Sequence, residues 1–277
     1  MKLKNILYPL ILLLMAAGCK KEDAIVPDKI VPEYSLPQGN HPYDTQIIDF
    51  HNKYGCYILY RFTEKDFKWN ITNNLSYTAD QGDENYIAPA LDALDKYLFK
   101  FYSQDFLKKA LPYKIILSAR IREITFYNDT LATPVNSVSA FSHFAFGRAG
   151  SSLSGMTDDE LRVMKSDLHR EFWKQAVNYG KITLPPAFVS ATNYADVFDW
   201  TKKYYGVFMP DVNALSPDLY GDFQGYIDVI VSNTLGEIEQ SLFLPANDPN
   251  GKYKLKYNII VNYYKEVYGV DLQGIAR

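Results

Sequence analysis

The stretch Asp167-Leu168-His169-Arg170-Glu171-Phe172-Trp173-Lys174-Gln175 carries charged groups at the spacing a metal-dependent hydrolase uses. In an H-E-x-x-H helix, two imidazoles four residues apart grip one zinc ion from a single face, and the glutamate between them is the general base. Here Arg170 and Lys174 stand at the two ligand positions and Glu171 at the base position. Protonated arginine and lysine offer no lone pair and repel Zn²⁺. Without a metal to acidify a water, Glu171 has nothing activated to deprotonate. Arg170, Glu171 and Lys174 are therefore read as a degenerate site, with no catalytic residue, no metal ligand and no bound cofactor expected. In one version the two cations replace the metal's charge and hold Glu171 by ion pairing. In the other, the three form a solvated helix face, as charges at this spacing commonly do. Both versions predict no hydrolysis.

Other chemistry-bearing residues form weaker patterns. His169 lies two positions from Glu171, about 200° around a helix, which rules against a shared metal. His41, His51 and His143 are scattered without ligand spacing. No Gly-x-Ser-x-Gly elbow is present, Cys56 has no local nucleophile signature, and the many Asp and Glu pairs define no glycosidase without a fold. Asp129-Thr130-Leu131 is similar to the short O-glycosylation acceptor of Bacteroidetes.

The elements that must position Glu171 follow from periodicity. Thr157 followed by Asp158, Asp159 and Glu160 marks a helix start, and the helix runs to about Tyr179 before Gly180. Leu161, Met164, Leu168, Phe172 and Ala176 form its apolar stripe, with Arg170 and Lys174 on the opposite side and Glu171 on the flank. Further helices are expected over Asp44 to Tyr54, Ile87 to Leu111, Leu219 to Leu235 and Tyr253 to Tyr268. Strands are expected over Cys56 to Phe62, Tyr113 to Ile124 and Ala140 to Phe146. The pattern is α+β: a small mixed sheet, a long central helix and a helical C-terminal part.

The N-terminus carries a different signal. Lys2 and Lys4, the apolar run Ile6 to Met15, and then Ala16, Ala17, Gly18 and Cys19 have the order of a secretory signal ending in a lipidated cysteine. The apolar run reaches about 15 Å as a helix, roughly half a bilayer's hydrocarbon thickness, too short to span it. Acyl chains on Cys19 would anchor the protein to the outer membrane. Lys20, Lys21, Glu22 and Asp23 resemble the charged export signal of surface lipoproteins in Bacteroidetes. The chain thus divides into a signal at 1–18, a lipidated N-terminus and Pro-rich tether at 19–43, and one globular domain at 44–277. Cys56 is the only other cysteine, so the domain relies on its core, for which 47% hydrophobic residues suffice. A net charge of -3 argues against nucleic acid. The 23 Tyr and 16 Phe invite a ligand-binding reading, although most aromatics are packing.

Gly147-Arg148-Ala149-Gly150, then His169 to Lys174, Pro185 to Phe188 and Gly221-Asp222-Phe223-Gln224-Gly225 follow one another in the order of four motifs of a known family. The chain resembles the zinc metallopeptidase lipoproteins that Bacteroidetes encode beside nutrient-import gene pairs. That family carries Gly-Arg-Ala-Gly, His-His-Glu-Phe-x-His, Pro-x-x-Phe and Glu-Asp-Phe-Ala-Glu. Against it, Arg170 and Lys174 replace both zinc histidines, and Gly225 falls where a downstream carboxylate could complete the site. The zinc expected of the family has lost its ligands, while Glu171 and the non-ligand His169 remain. The resemblance implies a zinc-metallopeptidase-like fold over residues 44 to 270. It also implies a noncatalytic, surface-exposed accessory lipoprotein of a SusCD-like importer. Its partners would be a TonB-dependent outer-membrane transporter and a SusD-like lipoprotein, and its role the capture or presentation of oligomeric peptide or glycan. The alternatives are an active zinc metallopeptidase acting on imported oligopeptides, with ligands from elsewhere, and a surface glycan-binding lipoprotein.

Overall fold

The structure, a computed structural model, describes residues 33–68, 76–125, 133–209 and 216–276. Cys19, the signal segment and Asp129-Thr130-Leu131 lie outside the described residues. The compact unit spans Leu36–Arg277. It reaches further back than the expected start near Asp44, because Leu36 packs against the core and the Gln38 side chain accepts from the Tyr60 amide at 2.9 Å.

Helix α1 (Pro42–Tyr54) leads into strand β1 (Tyr57–Leu59), a short helix α2 (Glu64–Lys68) and strand β2 (Tyr77–Asp80). The apolar run expected as one helix from Ile87 to Leu111 is instead helix α3 (Ile87–Tyr97), a 3₁₀ turn (Phe99–Phe101) and helix α4 (Gln104–Ala110). Ser103 restarts the chain as an N-cap, its hydroxyl accepting from the Phe106 amide at 3.2 Å. The strand expected over Tyr113 to Ile124 likewise divides into β3 (Lys114–Leu117) and β4 (Arg120–Glu123). At the break, the Ser118 hydroxyl donates to the Asp80 carbonyl at 2.7 Å, and the two halves enter different sheets.

Strands β5 (Ser137–Ser139) and β6 (His143–Phe146) complete a four-stranded sheet in the order β1-β3-β6-β5, with β2 and β4 forming a separate antiparallel pair. The first three strands of the larger sheet are parallel and its edge strand β5 is antiparallel. All four residues of β3 and of β6 are buried, as befits parallel strands covered on both faces. Gly147 follows β6 where the backbone passes close to β5: a Cβ there would stand 2.2 Å from the Val135 carbonyl oxygen.

Helix α5 (Asp158–Asn178) lies across this sheet. Its start is a reciprocal cap: the Glu160 amide donates to Thr157 Oγ1 at 3.3 Å, and the Thr157 amide donates to the Glu160 carboxylate at 2.7 Å. Met164, Leu168, Phe172 and Ala176 are buried as the stripe predicts, with Leu161 half-buried, but His169, Glu171, Trp173 and Gln175 are buried too. The helix is thus enclosed on more than one side. The last third adds short helices α6 (Pro186–Val189) and α7 (Lys202–Tyr205), then α8 (Leu219–Ser232), α9 (Leu235–Glu239) and α10 (Lys252–Tyr268). Helix α8 packs along α5.

Two histidines are sealed inside. The Tyr102 hydroxyl accepts from Trp173 Nε1 at 2.9 Å and is hydrogen-bonded to His169 Nδ1 at 2.7 Å. Burial, with Lys165 nearby, pushes His169 down to about 3, and burial beside Lys114 does the same to His143. Each stays neutral in the folded chain but protonates near 6.5 once unfolded. Their contribution to stability is therefore complete above pH 6.5 and declines as pH falls toward 3. Urea unfolding between pH 7 and 5 should show stability falling with a slope that approaches ~1.4 kcal/mol per pH unit for each imidazole. His143→Phe should halve that slope; an unchanged slope would refute the assignment.

Candidate functional site

Arg170, Glu171 and Lys174 meet on the wall of an open cleft of about 600 Å³ between α5 and α8, lined also by Tyr220, Gln224 and Asp228 among others. Glu171 is not on a solvated flank: it is 7% exposed, held between α5 and the edge strand β5.

Glu171 has partners on three sides. The Ser139 hydroxyl donates to its Oε2 at 2.8 Å, Lys174 Nζ lies 3.4 Å from both carboxylate oxygens, and Arg170 Nε lies 3.8 Å from Oε1. Arg170 itself is shared more closely with Asp167 at 2.9 Å and with Asp228 of α8 at 3.4 Å. Burial pulls its guanidinium down, but Asp167, Glu171 and Asp228 together overcome this and raise it. It is a permanent cation here. Asp167 in turn accepts from Asn136 Nδ2 at 2.7 Å, and Asn136 accepts from Arg148 Nε at 2.7 Å. The Gly147-Arg148-Ala149-Gly150 segment is thereby connected through hydrogen bonds to the helix that carries Glu171.

The Gly221-Asp222-Phe223-Gln224-Gly225 segment forms the opposing wall, on α8. Asp222 points away from the cleft into a sealed pocket, where Lys256 Nζ donates to it at 2.8 Å and the Tyr194 hydroxyl at 2.8 Å. The Phe208 amide donates to its other oxygen at 2.8 Å, and the ammonium of Lys256 lies over the Phe188 ring at 5.4 Å. Burial raises the Asp222 carboxyl and lowers the Lys256 ammonium, each opposed by the other's charge. This pair anchors α8 to α10 and is invisible to sequence spacing, since its members are 34 residues apart.

Gly225 lies at a close contact. A Cβ added there would stand 2.3 Å from the Phe208 Cβ. A carboxylate on residue 225 therefore requires Phe208 to move. With cations at 170 and 174 and this steric block at 225, the residues present do not fit a zinc ion. Among the described residues, no group of three or more His, Cys, Asp and Glu side chains is placed to hold a metal. The scattered histidines stay apart: His41 Nε2 lies 2.8 Å from Glu84, His51 stacks on Tyr57, and His143 is inside the sheet. Cys56 is buried, its thiol pushed up by burial.

No protein-family model matches the chain, and no curated protein does. Among solved structures the chain is similar to a Bacteroides caccae protein described as a "putative zinc-binding metallo-peptidase", with a TM-score of 0.53 and 14% identity over 84% of this chain and 88% of that one. The likeness establishes a metallopeptidase-like α+β fold.

Two substitutions test this description. Gly225→Ala should destabilise the chain by about 1–3 kcal/mol, the cost of forcing a methyl against Phe208. Glu171→Gln should cost about 1 kcal/mol, a modest figure because Lys174 and Arg170 are partly in water. A neutral or stabilising effect of Glu171→Gln, read by chemical denaturation, would show that the ion pairs do not hold it.

Proposed function

We propose that the chain is a noncatalytic, metallopeptidase-like lipoprotein, in which the cleft serves to bind rather than to cut. The observation that carries this reading is the environment of Glu171. Its carboxylate is engaged by Ser139 and Lys174 with Arg170 beside it, and these partners oppose its use as a general base. Arg170 and Lys174 occupy the spacing where a zinc helix has its imidazoles, and Phe208 occupies the space a residue-225 side chain would enter. The chain is thus a degenerate member of the family it resembles.

On this reading Cys19 carries the lipid anchor and the Pro-rich segment behind it tethers the body to the outer membrane, exposed at the cell surface. The partners are a TonB-dependent transporter and its SusD-like lipoprotein, and the cargo is an oligomeric nutrient. Support for the location comes from the signal-like order of residues 1–19, and support for the importer from the resemblance. The cleft suits a ligand carrying both charges, since Arg170 and Lys174 on one wall face Asp218 and Asp228 on the other.

The test is metal analysis and peptidase assay of the full-length protein purified from membranes. Less than about one zinc per ten chains is expected, with no cleavage of unstructured peptides in added Zn²⁺ and no change on Glu171→Gln. Stoichiometric zinc that is lost in Glu171→Gln, or cleavage that depends on Glu171, would overturn the proposal. Co-purification with an outer-membrane transporter tests the partner.

A further inference from the structure

Among the described residues, the largest side-chain type is left in water at one position. Trp200 is 75% exposed, more than any other large hydrophobic residue among those described, and it lies in the loop between α6 and α7. Its ring is stacked on Phe198, itself 48% exposed, with centroids 5.0 Å apart and planes within 5°. Two aromatic rings side by side in solvent forgo the favourable burial that aromatic side chains normally contribute. Nothing in the fold requires them there.

The pair is nonetheless held in place. Val197, just before it, is buried. The Phe198 amide donates to Thr201 Oγ1 at 2.9 Å and the Thr201 amide returns to the Phe198 carbonyl at 2.9 Å, closing a tight turn around Trp200. Lys202 Nζ pairs with Asp199 at 2.7 Å across the same turn. Trp200 therefore presents one ring face to solvent, backed by the stacked Phe198 ring, and is not a loose tail.

Size and charge select the partner. Two rings offer at most a few hundred Å², well under the roughly 800 Å² per partner of a stable protein interface. The sequence flanking the pair, with Asp196, Asp199, Lys202 and Lys203, carries two acidic and two basic groups, so it lacks the basic surplus that an anionic lipid surface or a nucleic acid calls for. A small flat apolar face with donors and acceptors of both kinds around it matches a neutral hexopyranose, whose ring has a C–H face and equatorial hydroxyls. We propose that Phe198 and Trp200 form a carbohydrate-binding platform for neutral glycan chains, separate from the Glu171 cleft and independent of how that cleft functions.

The experiment is native affinity electrophoresis of the lipidated full chain in detergent, through gels containing dextran, laminarin, mannan or xylan. At least one gel should retard the protein. Trp200→Ala should weaken that retardation at least about tenfold in apparent Kd, since stacking supplies most of the contact, while Trp200→Phe retains part of it. Trp200 is too exposed for its loss to unfold the chain, which a matching urea midpoint would verify. Absence of retardation in all four gels, or equal retardation of Trp200→Ala, would overturn the proposal. A Trp200-dependent dimer in sedimentation velocity without retardation would assign the platform to a second copy of the chain instead.

Discussion

Burying a carboxylate in the middle of a long helix is unfavourable unless its charge is matched, and much of the cleft is arranged around that constraint. Glu171 sits where α5 meets both the edge strand and the cleft, and it is matched from both sides: Ser139 from the strand, Lys174 and Arg170 from the helix. Arg170 then needs more anion than Glu171 supplies and takes it from Asp167 and Asp228. Through Asp228 the requirement reaches α8; through Asp167 and Asn136 it reaches Arg148 in the glycine-rich turn after the sheet. A metal ion in such a cleft would supply charge from one point. Here positive charge is carried by two side chains, of which Arg170 also ties α5 to α8 through Asp228.

Sequence periodicity revealed α5 well because its signals are local: a threonine cap, acids in the first turn, and a glycine after the end. It failed where the chain breaks without a breaker residue. Tyr97 to Phe101 carries no Gly or Pro, and the helix ends there because Leu98 leaves helical geometry at φ -131°, with only Ser103 to mark the restart. The split between β3 and β4 depends on Ser118 reaching Asp80, a contact between residues 38 positions apart. The motif order located both walls of the cleft, yet the burial of Glu171 could not be read from the stripe. It depends on Ser139, on a strand that the apolar pattern starting at Ala140 does not include.

The aromatic surplus has two destinations with opposite physics. Tyr102, Phe106, Phe172, Trp173 and Tyr264 interlock behind α5, where the Trp173 and Tyr264 ring centroids are 4.5 Å apart and edge meets face. Their hydroxyl and indole groups find partners inside, so Trp173 is polar chemistry folded into packing. Phe198 and Trp200 are the same residue types used on the outside. Composition counts both groups alike; only burial separates them.

The edge strand offers one last consequence. Ser137 donates to the Asp167 carbonyl at 3.0 Å and Ser139 to the Glu171 carboxylate at 2.8 Å. Two residues of strand advance about 6.8 Å and four residues of helix about 6 Å, so the serines and their acceptors run nearly in step. Strand and helix therefore measure each other. A one-residue slip of β5 would turn both hydroxyls to the opposite face, whereas exchanging the side chains at 170 and 174 leaves the gauge untouched. A lineage could rewrite the chemistry of this cleft many times while its alignment stayed fixed.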